Sequence, residues 1–142
     1  MSARRGVALE PLVEAAQAAR ANAYAPYSRY RVGAALLTKS GRIYAGCNVE
    51  NATYGATSCA ERSAVAAMVV AGDRAPIACA VVTAGPAPGA PCGICRQVLA
   101  EFARDLRLVL VAEDDGGRIT ARKTARLAAL LPQAFRLAAP RK

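Results

Sequence analysis

Two short segments contain the residues whose types and spacing could do chemistry. They are SCAER at 58–62 and PCGICRQ at 91–97, and each begins a predicted helix. Cys92 and Cys95 are three residues apart, so their sulfurs point to the same side of the first helical turn and can converge on one ion. A third thiolate from Cys59 would leave one tetrahedral position open. An open position is typical of a catalytic zinc site, whereas structural zinc sites usually close all four.

Glu61 is the candidate for proton transfer at this site. It follows Cys59 by two residues, so its carboxylate can face the open metal position without ligating the metal. A carboxylate there can take a proton from a zinc-bound water and deliver it to the substrate and the leaving group. Ser58 and Glu61 also match a helix capping box, which is the structural alternative. The Cys-x-x-Cys motif downstream favours the catalytic interpretation.

Arg62 lies beside the cysteine cluster in sequence. Three thiolates on one Zn²⁺ give the cluster a formal charge of −1, which a neighbouring guanidinium can offset by donating a hydrogen bond to a ligand sulfur. We predict this role for Arg62, with an ordinary surface ion pair as the alternative.

The remaining cysteines and the lack of histidine restrict the chemistry further. The chain has five cysteines and no histidine, which removes Ser-His-Asp and Cys-His catalysis. An odd number of cysteines argues against a disulfide framework in a cytoplasmic protein. Cys47 and Cys79 could supply a fourth ligand, but both lie in strand-like apolar segments. We therefore predict that they are small buried hydrophobes.

Hydrophobic periodicity predicts the elements that must position these residues. In chain order they are a helix near 9–22, strands at 31–38 and 42–49 that form a hairpin, a helix at 59–71, a strand at 77–84, a helix from 91 or 92 to 103, a strand at 106–112, a short strand at 118–121 and a helical piece at 124–131. This order predicts an α/β sandwich in which helices cover a mixed sheet. At 142 residues, the chain is expected to be a single domain over 1–142.

Charge and hydropathy limit the classes of partner. The chain has 19 basic and 10 acidic residues, a formal net charge of +9, which could attract nucleic acid or an anionic surface. The basic residues are scattered, so a solvated basic surface is the favoured interpretation. Loose clusters occur only at Arg4 and Arg5 and at Arg118, Arg122, Lys123 and Arg126. No apolar run or signal-peptide pattern indicates a membrane or secreted protein, so a cytoplasmic location is expected.

The pairing of Cys-Ala-Glu with Pro-Cys-x-x-Cys resembles the zinc-dependent cytidine deaminase superfamily. Within it, the chain is similar to the small free-nucleoside cytidine deaminases over nearly its whole length. The similar blocks are PYSRYRVGAALL at 26–37, GCNVENATY at 46–54, CAER at 59–62, PCGICRQVLAEF at 91–102 and LLPQAF at 130–135.

This resemblance implies a fold and a reaction. The fold is a three-layer α/β/α sandwich with a central mixed sheet of about five strands. The reaction is the hydrolytic deamination of free cytidine and deoxycytidine to uridine and deoxyuridine with release of ammonia, by attack of zinc-bound hydroxide on C4. One Zn²⁺ per subunit would be held by Cys59, Cys92 and Cys95, with Glu61 as proton shuttle.

The resemblance also implies substrate contacts within the chain. Asn48 and Glu50 match the pair that hydrogen-bonds the ribose hydroxyl, and their spacing points both side chains to one side of a strand. A strand-end turn is the alternative for this pair. Tyr30 stands where the family commonly carries a Phe stacked on the pyrimidine, and its ring can still stack. A core aromatic at a strand start is the alternative for Tyr30. Ala60 is expected to line the substrate pocket.

Further contacts are expected across subunits. Proteins of this family are typically homotetramers whose sites are completed by a neighbour. By resemblance, Ala52 and Tyr54 would contribute to a neighbouring pocket and Phe135 would cover one, although a Phe after a helix end can also be local core.

Two alternative functions remain at this stage. One is deamination of another substrate on the same scaffold, such as a blasticidin-type nucleoside or cytosine in a nucleic acid. The net charge favours the nucleic acid, but the short chain lacks aromatic or basic insertions that could bind a strand, so no nucleic-acid partner is expected. The other is a non-catalytic structural zinc module, which would need a fourth ligand.

Overall fold

The computed structural model describes residues 8–138. Arg4, Arg5 and the tail after residue 138 lie outside the described residues. The elements in chain order are α1 (Glu10–Ala21), β1 (Gly33–Thr38), β2 (Ile43–Cys47), a 3₁₀ turn (Tyr54–Ala56), α2 (Ala60–Val70), β3 (Pro76–Ala84), α3 (Gly93–Phe102), β4 (Arg107–Glu113), β5 (Ile119–Arg126) and α4 (Leu127–Leu130).

The five strands form one mixed sheet in the order β2-β1-β3-β4-β5. The β1–β2 hairpin is antiparallel, as predicted, and β1 also pairs antiparallel with β3. β3 and β4 are parallel, with α3 as the crossover between them, and β5 returns antiparallel to β4. The predicted mixed five-stranded α/β fold is therefore confirmed.

The alternation of β1 divides the core between the two faces of the sheet. Ala34 and Leu36 pack into a cluster with the helices on one face, which are α2, α3 and α4. Ala35 and Leu37 pack into a second cluster with α1 on the other face. All six residues of β1 are buried, because this strand lies inside the sheet and is covered on both sides.

Two glycines on the hairpin allow helices to contact the sheet backbone directly. A Cβ added at Gly33 would collide with the carbonyl oxygen of Ala16 in α1. A Cβ added at Gly46 would collide with the backbone of Ala64 and would lie 2.8 Å from the carbonyl oxygen of Ala60, both in α2. The missing side chain at Gly46 therefore sets how close the start of α2 comes to the sheet.

The prediction of a helix over 124–131 is wrong for its first three residues. β5 continues through Arg126, and α4 contains only Leu127–Leu130. Thr124 and Ala125 pair with Val109 and Leu108 of β4. This pairing provides hydrogen-bond partners for backbone N–H and C=O groups of residues 124–126, so the tertiary contact overrides the local helical preference.

β5 is an edge strand that carries much of the basic charge. It pairs with β4 on one side and with no strand on the other within residues 8–138. Arg122 pairs with Glu10 at 2.7 Å and Arg126 with Asp105 at 2.9 Å, while Lys123 is exposed. Exposed ion pairs add little stability. Arg118, Arg122, Lys123 and Arg126 are all exposed, so the basic cluster lies at the protein surface. Within residues 8–138, no helix has the length and apolar character needed to cross a bilayer.

Asp73 joins the β1–β2 hairpin to the loop that follows α2. Its carboxylate accepts hydrogen bonds from the hydroxyls of Thr38 at 2.7 Å, Ser40 at 2.9 Å and Tyr44 at 3.2 Å. The hydrogen bond from Thr38 is the largest cause that lowers the pKa of Asp73 from its ordinary value to about 2. The ionised form of Asp73 therefore stabilises the folded state.

We expect the substitution Asp73→Asn to lower the urea midpoint of unfolding at pH 6, because it removes the charged acceptor. The pKa of Asp73 is depressed on folding, so its contribution is complete above its ordinary pKa of 3.8 and is lost as the pH falls towards about 2. The difference between wild type and D73N should therefore shrink over that range.

The matched control is Asp115→Asn, since Asp115 lies exposed in the turn between β4 and β5. Urea titrations at pH 6, 4 and 2.5 make the comparison. A D73N deficit that stays constant with pH, or an equal deficit in D115N, would contradict the assignment.

Candidate active site

A cavity of about 240 Å³ opens at the carboxyl end of β3, beside the first residues of α2. Seven of the residues predicted from the sequence line it, namely Tyr30, Asn48, Glu50, Cys59, Ala60, Glu61 and Cys92. Val32, Val81 and Thr83 supply part of the remaining wall. The cavity thus brings together the predicted metal, proton-transfer and sugar-binding residues.

The three predicted metal ligands form one cluster. Cys59 is the N-cap of α2 and Cys92 is the N-cap of α3, while Cys95 lies in the first turn of α3. The Sγ atoms of Cys59 and Cys92 are 3.8 Å apart, and all three sulfurs lie within 4.8 Å of one another. Cys47 and Cys79 do not belong to this cluster. Within residues 8–138 it is the one group of three or more side chains that could hold a metal ion.

This geometry fits a zinc ion. With Zn–S bonds of about 2.3 Å and tetrahedral angles, two ligand sulfurs lie about 3.8 Å apart. The separation between Cys59 and Cys92 matches that value. Three sulfur ligands leave the fourth tetrahedral position free for water or substrate, which is the arrangement of a catalytic zinc site.

The surroundings of the cluster decide how easily its thiols ionise. Burial raises the pKa of Cys95, and the charge of Glu61 raises it further. Thiolate is the form that binds metal, so a cation at this position must provide the compensating charge. The N-termini of α2 and α3 add partial positive charge on the same side.

Arg62 contacts the cluster as predicted. Its Nη2 lies 3.5 Å from the Sγ of Cys59 and donates to the carbonyl oxygen of Thr57 at 3.1 Å. The hydrogen bond to Cys59 is the largest cause that raises the pKa of Arg62 above its ordinary value. The alternative of a surface ion pair for Arg62 does not apply, since its guanidinium faces sulfur and a backbone carbonyl.

Glu61 occupies the second position of α2 and is only 4% exposed. Its carboxylate lines the cavity together with Cys59 and Cys92. The capping box does not form, because the N-cap is Cys59 and the hydroxyl of Ser58 faces Cys59 O and Ser63 Oγ instead. The structural alternative for Glu61 is thereby excluded.

Asn48 has a second role that its sequence position does not reveal. Its Oδ1 accepts a hydrogen bond from the backbone N–H of Val32 at 2.9 Å, and its Nδ2 donates to the carbonyl oxygen of Tyr30 at 2.7 Å. An amide has two donors and two acceptor lone pairs, so one of each remains for a ligand. Asn48 therefore fixes the backbone beside Tyr30 as well as lining the cavity.

Glu50 is held in place by the turn at Tyr27 and Ser28. Its Oε1 accepts hydrogen bonds from the backbone N–H groups of Tyr27 at 2.9 Å and Ser28 at 3.1 Å. Its Oε2 accepts a hydrogen bond from the hydroxyl of Ser28, which is the largest cause that lowers the pKa of Glu50 below its ordinary value. Glu50 is therefore an oriented, ionised acceptor at the mouth of the cavity.

Sequence reasoning missed the contribution of Ser28. Its hydroxyl also accepts the backbone N–H of Tyr30 at 3.0 Å, so one oxygen links the acidic and aromatic walls of the cavity. A Ser two residues before the Tyr is a local signal, because such hydroxyls often bind the backbone two residues on. The contact to Glu50 spans 22 residues and has no signal of this kind.

The three residues that are expected to act across subunits lie outside the cavity of their own chain. Ala52 is exposed, and Tyr54 is 78% exposed, with its ring edge-to-face against Tyr27 at 6.3 Å between centroids. Phe135 is 68% exposed, and its carbonyl oxygen accepts a hydrogen bond from Gln97 at 3.0 Å. Phe135 is thus not local core, and all three face away from the protein interior.

Residues 8–112 match the family model of the cytidine and deoxycytidylate deaminase zinc-binding region. This match covers well over half of the chain and includes all three clustered cysteines and Glu61. The chain belongs to this deaminase family. Zinc is therefore the metal that both the family and the sulfur geometry of this deaminase indicate.

Relatives and solved structures agree with the deaminase family. A cytidine deaminase of Sporosarcina psychrophila is 44% identical over 127 residues, which cover 89% of this chain and 90% of the relative. A cytidine deaminase of Halalkalibacterium halodurans is 52% identical over 91 residues, which cover 64% of this chain and 69% of the relative. The crystal structure of the Burkholderia pseudomallei cytidine deaminase superposes with a TM-score of 0.78 at 47% identity, covering 88% of this chain and 97% of that one.

We expect this deaminase to be purified with about one zinc per chain and Cys95→Ser to lose most of it, because a hydroxyl replaces a thiolate ligand. Cys79→Ala is the matched control, since Cys79 is equally buried but lies outside the cluster. Elemental analysis of dialysed protein measures the metal content, and circular dichroism checks the fold. Zinc retained in C95S or lost in a folded C79A would show that the ligand set is different.

Proposed function

We propose that this chain hydrolyses free cytidine and deoxycytidine to uridine and deoxyuridine with release of ammonia. The observation that carries the proposal is one cavity with Glu61 beside the three-cysteine cluster and with Asn48 and Glu50 on its wall. The relatives named cytidine deaminase support the same substrate. In this reaction the oxygen of water bonds to C4, and the C4–N4 bond breaks.

Cys59, Cys92 and Cys95 would hold the zinc beside Glu61. When bound, zinc acts as a Lewis acid that lowers the pKa of a coordinated water. Arg62 would keep the sulfur of Cys59 in place and balance part of the charge of the thiolates. The positions of these side chains follow from the N-termini of two helices, which are rigid elements.

Glu61 would move the protons. Its carboxylate would accept a proton from the attacking water and pass it to N3 of the ring. It would then take the second proton from the oxygen now bonded to C4 and deliver it to the amino group, so that ammonia leaves. Its low exposure supports this role, because a dry site prevents bulk water from exchanging the transferred protons. Ala60, which is fully buried next to it, would form part of the pocket floor.

Asn48 and Glu50 would bind the sugar, and Tyr30 would stack on the base. The remaining N–H of Asn48 can donate to a sugar hydroxyl, and the oriented carboxylate of Glu50 can accept from one. The Tyr30 ring lines the cavity and is 44% exposed, so one face is available for stacking. These contacts favour a free nucleoside over a base within a strand.

The proposal extends to the assembly: a single domain of 142 residues that forms a homotetramer with shared sites. The exposed side chains of Tyr54 and Phe135 support it, since large exposed apolar side chains are typical of surfaces that become buried on association. Ala52, Tyr54 and Phe135 would then contact a neighbouring cavity. Light scattering measures the mass, and a monomer at assay concentration would contradict shared sites.

We expect zinc-loaded wild-type protein to convert cytidine to uridine and Glu61→Gln to lower kcat by at least about 10²-fold, because the amide cannot accept the proton. The loss of cytidine absorbance measures the rate, and elemental analysis confirms equal zinc in both proteins. The matched control is Glu101→Gln, a change of the same type at an exposed position of α3.

A fully active E61Q would remove the proton-shuttle role. An inactive, zinc-loaded and folded wild type would contradict the nucleoside proposal. A blasticidin-type nucleoside and cytosine in single-stranded DNA would then be assayed, and inactivity on both would leave the structural zinc module.

We expect Glu50→Gln to raise the KM for cytidine about tenfold, because a charged acceptor for the sugar hydroxyl is replaced by a neutral one. Competitive inhibition separates sugar from base: inhibition by uridine should weaken, whereas inhibition by uracil, which has no sugar, should change little. An equal loss for uracil would show that Glu50 supports the pocket rather than the sugar.

A further inference from the structure

The hydroxyl of Tyr30 lies against the loop at 85–92, which connects β3 to α3. A Cβ added at Gly89 would lie 3.0 Å from this hydroxyl oxygen, which is closer than an ordinary van der Waals contact. The ring of Tyr30 lines the cavity, and Gly89 lies behind its hydroxyl end. The space occupied by this hydroxyl therefore depends on the missing side chain at Gly89.

Backbone conformation does not explain the glycine at this position. Among the described residues, the glycines with a positive φ are Gly41, Gly72, Gly85 and Gly117. Gly89 is not one of them, so its backbone conformation is open to alanine. What an alanine would lack here is room for its methyl group.

The second neighbour of this position is Thr83, which cannot move easily. A Cβ at Gly89 would lie 3.2 Å from its Cγ2. Thr83 is only 4% exposed, and its hydroxyl accepts the N–H of Gly89 at 3.0 Å and lies 3.5 Å from the carbonyl oxygen of Val111. Tyr30 is 44% exposed and has the cavity on one side. A side chain at position 89 would therefore displace the tyrosine ring.

We propose that Gly89 is a positioning residue for the pyrimidine: its missing side chain fixes where the ring of Tyr30 lies in the cavity and so sets the affinity for the base. The inference rests on the proposed function, in which Tyr30 stacks on the pyrimidine. Gly89 and Tyr30 form a matched pair, since the hydroxyl of a tyrosine needs space that a phenylalanine would leave empty.

A double-mutant cycle of wild type, Gly89→Ala, Tyr30→Phe and the double variant tests this pair with cytidine as substrate. G89A should raise KM about five- to tenfold, an effect of the size expected for overpacking, and change kcat less than about twofold. In the Y30F background the same change should raise KM less than about twofold, because the hydroxyl that collides is absent. The inhibition constant of uridine should change by the same factor as KM in each variant.

Gly116→Ala is the matched control. Gly116 lies in the turn between β4 and β5, and a Cβ there would meet only the Oδ1 of Asp114, at an ordinary 3.4 Å. G116A should leave KM unchanged in both backgrounds.

An equal rise of KM in the presence and absence of the Tyr30 hydroxyl would overturn the inference, and so would an unchanged KM in folded G89A. If wild type is inactive on cytidine, the proposed function fails separately. The urea midpoints of unfolding of the same four proteins then test the contact between Gly89 and Tyr30 alone. If the effects of G89A and Y30F on the midpoint simply add in the double variant, the pairing is overturned.

Discussion

Three sulfur atoms from two helices must meet at one point, and the arrangement of the site depends on this requirement. Cys59 begins α2, and Cys92 and Cys95 begin α3, so both helices must start at the same end of the sheet. The contact of α2 with Gly46 brings that start close to the hairpin that carries Asn48. Glu61 then reaches the cavity because it follows a ligand on a helix whose start is already fixed.

Charge is the second constraint on this end of the protein. Three thiolates and the carboxylate of Glu61 are negative groups near one cavity, and the chain has no histidine to replace any of them with a neutral ligand. The positive groups are the helix N-termini, Arg62 and the metal ion itself. A zinc ion with three thiolates is a weaker acid than one with neutral ligands, so the position and dryness of Glu61 matter more to the proposed chemistry.

Local patterns predicted most of the fold, and contacts between distant residues account for what they missed. The hairpin, the buried strands and the two helices that begin at cysteines follow from periodicity and turn residues. The predicted strand is shorter than β5, because the pairing of residues 122–126 with β4 is a long-range contact that the local sequence does not indicate. The metal ligands and Glu61 could be found because Cys-x-Glu and Cys-x-x-Cys are short local motifs, although 33 residues separate Cys59 from Cys92. The links from Ser28 to Glu50 and from Gly89 to Tyr30 join distant segments that carry no such motif.

The charged edge strand β5 has a consequence for how molecules of this protein meet. An open edge presents unpaired N–H and C=O groups that can recruit a strand from another molecule and so begin a fibre. A strand that docked beside Lys123 would strip water from its ammonium group without supplying a partner for it. Uncontrolled polymerisation through the backbone is thereby opposed, and the positive net charge of the chain acts partly as protection against aggregation.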